Sequence, residues 1–126
     1  MRLLLDTHAA IWLVGDNAKL GPIARHSILE ADEVHFSAAV PWEAAVKRQR
    51  GRLDVGAAFA AQLTTDGYIE LPITAAHGEA AGALPRHHGD PFDRVIIAQA
   101  RIERLTVVTA DPWFRHYDVG LLDATK

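Results

Sequence analysis

The sequence predicts an α/β fold: one domain spanning residues 1–126, with a mostly parallel central sheet of four to five strands flanked by helices. Three observations carry this. The length of 126 residues suits a single domain. Short β-rich runs alternate with helix-patterned stretches, the signature of βαβ units. No repeat, low-complexity tract or Gly/Ser/Pro-rich linker divides the chain.

The elements follow in order. Arg2 to Leu5 is the first strand, and a short helix runs from about Ala9 to Val14. Gly21-Pro22 opens a helix to Ala31, with proline suited to a first helical position. Val34 to Phe36 is the second strand. Ser37 is the expected N-cap of a helix running to Arg50, where Pro41 is tolerable near the first turn and Gly51 stands at the C′ position. A helix from Val55 to Thr65 ends at Asp66-Gly67, and Tyr68 to Leu71 is the third strand. Thr74 to Gly82 reads as a short helix and Leu84 to Gly89 as an irregular basic loop. Asp90-Pro91 opens a strong helix to about Arg104, Leu105 to Val108 is the fourth strand, Asp111-Pro112 starts one further turn, and Val119 to Leu122 is a short last strand.

Composition excludes several classes. With no cysteine there is no disulfide, thiolate zinc site or cysteine nucleophile. The longest apolar runs, such as Ala9 to Val14, fall far short of the roughly 20 residues of a membrane span, and Asp6 interrupts the Leu3-Leu4-Leu5 stretch too early for a signal peptide, so a cytoplasmic protein is expected. The formal charge of −3 provides no global field for nucleic acid, leaving that role to local patches. Gly51 and Gly56 have phosphate-loop spacing, but Ala57 and Ala58 stand where the lysine and hydroxyl belong. No dinucleotide fingerprint follows the first strand, and neither Ser27 nor Ser37 sits in a nucleophile elbow.

What remains is a set of acids. Asp6 follows the first strand, Glu43 lies early in the helix after the second, Asp93 is in the first turn of the helix before the fourth, and Asp111 follows the fourth. Crossover helices run antiparallel to parallel strands, so strand ends and helix starts share one sheet edge, where open α/β sheets place their sites. Singly, each acid has a plainer role. Asp6, Asp90 and Asp111 suit turns or helix caps, Asp93 a helix dipole, and Glu43–Lys47 a surface pair of about 0.2–0.5 kcal/mol. Together they repel: two unit charges 4 Å apart cost about 4 kcal/mol at an effective dielectric of 20. Either the acids lie apart or a hard divalent cation holds them, and oxygen-only ligands favour Mg2+ or Mn2+ over zinc. Metal-dependent phosphodiester hydrolysis is the chemistry this set fits.

Basic groups flank the acids. Lys47, Arg48, Arg50 and Arg52 trail from the helix carrying Glu43, either as a solvated face or as a phosphate track; Arg86, His87, His88 and Arg94 are further candidates for phosphate contact. Adjacent histidines on an extended loop point to opposite faces, which disfavours zinc at His87 and His88. His26, His35, His77 and His116 gain no role from spacing.

The segments LLLDTHAAIWL (3–13), FSAAVPWEAAVKRQRGRL (36–53), HGDPFDRVIIAQA (88–100) and LTVVTADPWF (105–114), in this order, span almost the whole chain. In them the sequence resembles the PIN-domain ribonucleases, and within those the VapC-type toxins of type II toxin–antitoxin pairs. By position, the resemblance assigns the metal and catalytic site to Asp6, Glu43, Asp93 and Asp111, with Asp90 as cap or outer support. His8 departs from the small polar residue many relatives carry there, leaving Thr7 or Thr109 to supply a hydroxyl. The resemblance further implies an Mg2+- or Mn2+-dependent endoribonuclease leaving 5′-phosphate and 3′-hydroxyl ends. It also implies a homodimer, or a larger toxin–antitoxin assembly, and a cognate antitoxin whose tail crosses the acids. Trp12, Trp42, Trp113 and Phe114 are candidates for dimer or antitoxin surfaces, with Trp42 the one that best fits a core position before Val46.

Two rivals fail on residues. A receiver domain needs an acidic pair after the first strand, an acceptor aspartate after the third and a late lysine; here the third strand ends Leu71-Pro72 and Lys126 is terminal. A haloacid-dehalogenase phosphatase needs aspartate where His8 stands. A non-catalytic RNA- or partner-binding module with the same fold is the remaining alternative, and the presence of all four acids argues against it.

Overall fold

The computed structural model describes residues 1–53, 55–87 and 89–126. Five parallel strands form one sheet in the order β3-β2-β1-β4-β5. They are β1 (Arg2–Leu5), β2 (Glu33–Ser37), β3 (Ile69–Leu71), β4 (Thr106–Thr109) and β5 (Leu121–Asp123). The helices are α1 (Thr7–Val14), α2 (Pro22–Glu30), α3 (Ala39–Gln49), α4 (Phe59–Thr65), α5 (Ala75–Ala83) and α6 (Pro91–Glu103), with a 3-10 turn at Pro112–His116. Among the described residues no helix is long and apolar enough to cross a membrane.

The uninterrupted leucines of β1 reflect its central place. Leu3, Leu4 and Leu5 are fully buried, as a strand covered on both faces must be, each contributing about 1.5–3 kcal/mol by leaving water. β1 pairs with β2 on one side (Leu4↔His35) and β4 on the other (Leu4↔Val107). The chain's winding therefore reverses beside β1, and the cleft beyond the strand ends opens between β1 and β4.

Four local expectations are corrected. α1 begins at Thr7 rather than Ala9, because Asp6 is its N-cap. Ser37 is the last residue of β2, and Ala38 is the residue before α3; the Ser37 hydroxyl still accepts the Ala39 N–H at 3.0 Å. α4 starts at Phe59, not Val55, since Phe59 is the first of its residues to reach the core. The last strand begins at Leu121, where the chain comes into register with Val107. Gly51 adopts φ +70° after α3, the left-handed C′ geometry its position predicts.

Two aromatic expectations also change. Trp42 is 58% exposed, because the buried stripe of α3 is Ala39, Val40, Glu43 and Ala44, and Trp42 lies off it. Phe114 is fully buried in the core, while its neighbour Trp113 points outward.

Candidate active site

At the carboxyl edge of the sheet, strand ends and helix starts converge as parallel topology requires. Asp6, Thr7, His8, Glu43, Lys47, Asp90, Asp93 and Asp111 line one hollow of about 180 Å³. A wider groove of about 750 Å³ beside α5 and α6 has a single carboxylate, Asp118, on its walls. Size and ionisable groups thus point to different places, and the carboxylates gather in the smaller hollow.

Each acid is held by a local device. Asp6, only 4% exposed, accepts the Ala9 N–H at 2.9 Å and a hydrogen bond from Thr109. The Thr109 hydroxyl oxygen in turn accepts the Asp111 N–H at 3.0 Å, joining the ends of β1 and β4. Glu43 is buried although it sits on a helix. Its Oε1 accepts the Thr7 hydroxyl at 2.5 Å and its Oε2 meets Lys47 Nζ at 2.6 Å. Asp90 is the N-cap of α6, accepting the N–H groups of Phe92 (2.8 Å) and Asp93 (3.3 Å). Asp111 caps the 3-10 turn through the Trp113 N–H at 2.9 Å.

The electrostatics follow from burial and crowding. Burial pushes the Asp6 carboxyl up to about 6 against the pull of its hydrogen bonds, with Glu43 adding repulsion. Asp93 rises to about 8, first through burial and then through the charges of Asp90, Glu43, Asp6 and Asp111. Lys47 is pushed up, chiefly by its hydrogen bond to Glu43 and further by the charges of Asp90 and Asp93. It is the ammonium on the wall of an otherwise acidic hollow.

The donor set fits a hard divalent cation: all five carboxylates offer oxygen, and their repulsion is what a cation relieves. Among the described residues no three His, Asp or Glu side chains already stand as a ready ligand set. Backbone N–H groups, Thr7, Thr109 and Lys47 engage Asp6, Glu43, Asp90 and Asp111.

The basic candidates divide. Arg48, Arg50 and Arg52 are exposed and none lines the hollow. Arg86 is exposed on the loop before α6. Arg94, expected at substrate phosphates, instead donates to the carbonyls of Ala81 (2.8 Å), Leu84 (2.9 Å) and Pro85 (3.0 Å), fastening the end of α5 to α6. His87 is exposed and stacks on His116; His88 lies outside the described residues. Sequence reasoning read Lys47 as a surface partner of Glu43 or the start of a phosphate track, where the structure puts it on the wall of the hollow, and it gave His77 no structural role. His77 is buried and completes a capping box with Thr74. The signal for Lys47 was its spacing from Glu43, which reads equally well as a surface pair.

The PIN domain family profile matches residues 3–120. The chain is 30% identical over 118 residues to Ribonuclease VapC22 of Mycobacterium tuberculosis (strain ATCC 25618 / H37Rv), covering 91% of each. Its fold is similar to that in the crystal structure of VapBC2 from Rickettsia felis bound to a DNA fragment from their promoter (TM-score 0.72, 14% identity, 97% of this chain and 98% of that one). It is also similar to a toxin–antitoxin complex from Klebsiella pneumoniae (0.68, 17%, 97% of each) and to FitAcB from Neisseria gonorrhoeae (0.62, 22%, 97% of each). With an acid-lined hollow at the carboxyl edge of a five-stranded parallel sheet and a match along nearly its whole length, the chain belongs to the PIN-domain family.

Proposed function

We propose that this chain is a Mg2+- or Mn2+-dependent endoribonuclease and the toxin of a toxin–antitoxin pair. The single observation that carries the reading is the convergence of Asp6, Glu43, Asp93 and Asp111 on one hollow, where burial and then the neighbouring charges raise Asp93 to about 8. The 30% identity to a ribonuclease supports the substrate class.

These four carboxylates would hold the ion, with Asp90 supporting from the cap of α6. A divalent ion so held supplies Lewis-acid activation of water and charge neutralisation at the scissile phosphate. The chain's own residues prepare that task. Thr109 orients Asp6, Thr7 orients Glu43, and Lys47 balances the Glu43 charge through its 2.6 Å pair. Arg48, Arg50, Arg52 and Arg86 would meet flanking phosphates, a role Arg94 cannot share while its guanidinium binds carbonyls. A cognate antitoxin and a homodimer are the proposed partners. The solved relatives include toxin–antitoxin complexes, and Trp42, set edge-on against Phe92 at 4.7 Å, leaves apolar surface near the hollow for such contacts.

The test is cleavage of total RNA by the purified chain with and without chelator, with the cut ends mapped. Cleavage should need the ion, leave 5′-phosphates, and vanish in Asp6→Asn while the fold persists. Retained cleavage in that variant, or in chelator, would overturn the proposal.

A further inference from the structure

Beyond the cap made by Asp111 lies a group of partly exposed rings, anchored to the core where His87 packs edge-on against buried Tyr117 at 5.4 Å. Trp113 is 50% exposed and sits two residues after Asp111, whose carboxylate accepts its N–H. His116 lies one turn on, its ring 5.0 Å from that of Trp113. His87, three residues before Asp90, stacks on His116 at 5.4 Å with the planes only 25° apart. Both histidines are exposed. The three rings thus form a ledge fixed at one end to the element bearing Asp111 and at the other to the loop leading into Asp90.

We infer that this Trp113–His116–His87 ledge is a stacking site for an unpaired nucleobase of single-stranded RNA, next to the bond to be cut. The inference rests on the proposed nuclease reading and deepens it. Physical chemistry favours this occupant. Single-stranded RNA is recognised by bases splayed onto aromatic and histidine rings, and stacking tolerates any base because each has a π face. Duplex RNA keeps its bases stacked and cannot offer one. Exposed Arg86 and Arg115, each one residue from a ring of the ledge, bring positive charge for the neighbouring phosphates. A ledge of rings would also supply what the acids lack, a grip on substrate that does not depend on neutralising them.

The experiment measures binding of short single-stranded RNA to Asp6→Asn protein in Mg2+, where the proposed function predicts no cleavage. Intrinsic tryptophan fluorescence and competition by a matched duplex are read together. Adding Trp113→Ala should weaken single-strand binding about 5- to 150-fold, the equivalent of one lost base stack, and abolish most of the quench. Trp113→Phe should restore much of the affinity, and His116→Ala should give a smaller loss in the same direction. Removing one base from the RNA should cost the Trp113 protein affinity and the Trp113→Ala protein almost none. Unchanged RNA affinity in both Trp113→Ala and His116→Ala would overturn the inference and turn the ledge over to a protein partner. If the wild-type chain neither binds nor cuts any RNA, the nuclease reading falls as well; if it cuts RNA with Trp113 dispensable, only the ledge falls.

Discussion

Replacing Asp93 with asparagine should stabilise the ion-free protein. The Asp93 carboxyl rises from 3.8 to about 8 in the folded chain. A folded value above the unfolded one means the group's contribution to stability is fully present below about pH 4 and is lost as the pH rises toward 8. At pH 7 the unfolded carboxyl is ionised and the folded one largely protonated, a difference of about three pH units and thus a ceiling of about 4 kcal/mol. Asp93 is partly open to water and its neighbours can relax, so a realistic gain for Asp93→Asn is about 1–2 kcal/mol. For a chain of this size that is a rise in Tm of roughly 4–10 °C at pH 7, shrinking toward zero near pH 4. The assay is thermal unfolding of both proteins in chelator from pH 4.5 to 8.5, reading their difference. An Asp93→Asn protein no more stable than wild type at pH 7, or a difference independent of pH, would refute the reasoning that burial and crowded charge together raise the Asp93 carboxyl.

Three further outcomes follow from the same geometry. Lys47→Met strips buried Glu43 of its 2.6 Å partner and should cost about 1–3 kcal/mol without metal, recovered when Mn2+ is added; urea melts with and without Mn2+ check this, and a loss that Mn2+ does not repair would contradict it. Arg94→Ala leaves the carbonyls of Ala81, Leu84 and Pro85 without their donor and should cost about 2–3 kcal/mol in urea unfolding while KM for RNA stays unchanged; a raised KM at full stability would return Arg94 to the substrate path. Changing Arg50 and Arg52 together to alanine should raise KM and flatten its dependence on salt, because fewer counterions are displaced from RNA; an unaltered salt slope would remove them from the track.

How much of this was legible beforehand depends on what each residue's placement obeys. Asp6, Glu43, Asp93 and Asp111 were readable because parallel crossover geometry alone brings strand ends and helix starts to one edge. Buried β1 was readable from three consecutive leucines. Trp42 was not, since the stripe α3 buries is made of alanines, a valine and a glutamate, and a period judged by large apolar residues selects the wrong face. The burial of Phe114 beside exposed Trp113 is set by a 3-10 turn too short to show periodicity. Arg94 beside Asp93 looked like a phosphate contact, yet carbonyls from a helix end 10 to 13 residues earlier claim it. No local pattern encodes such a tertiary partner.

The proposed function requires the crowded acids to seat a hard divalent ion. Titrating Mn2+ into the purified chain and following the free-ion signal by electron paramagnetic resonance tests it without reference to RNA. Saturable uptake of Mn2+, competed by Mg2+ and sharply reduced in Asp6→Asn, is the expected result. Absence of uptake by the wild-type chain, or uptake undiminished in that variant, would contradict it.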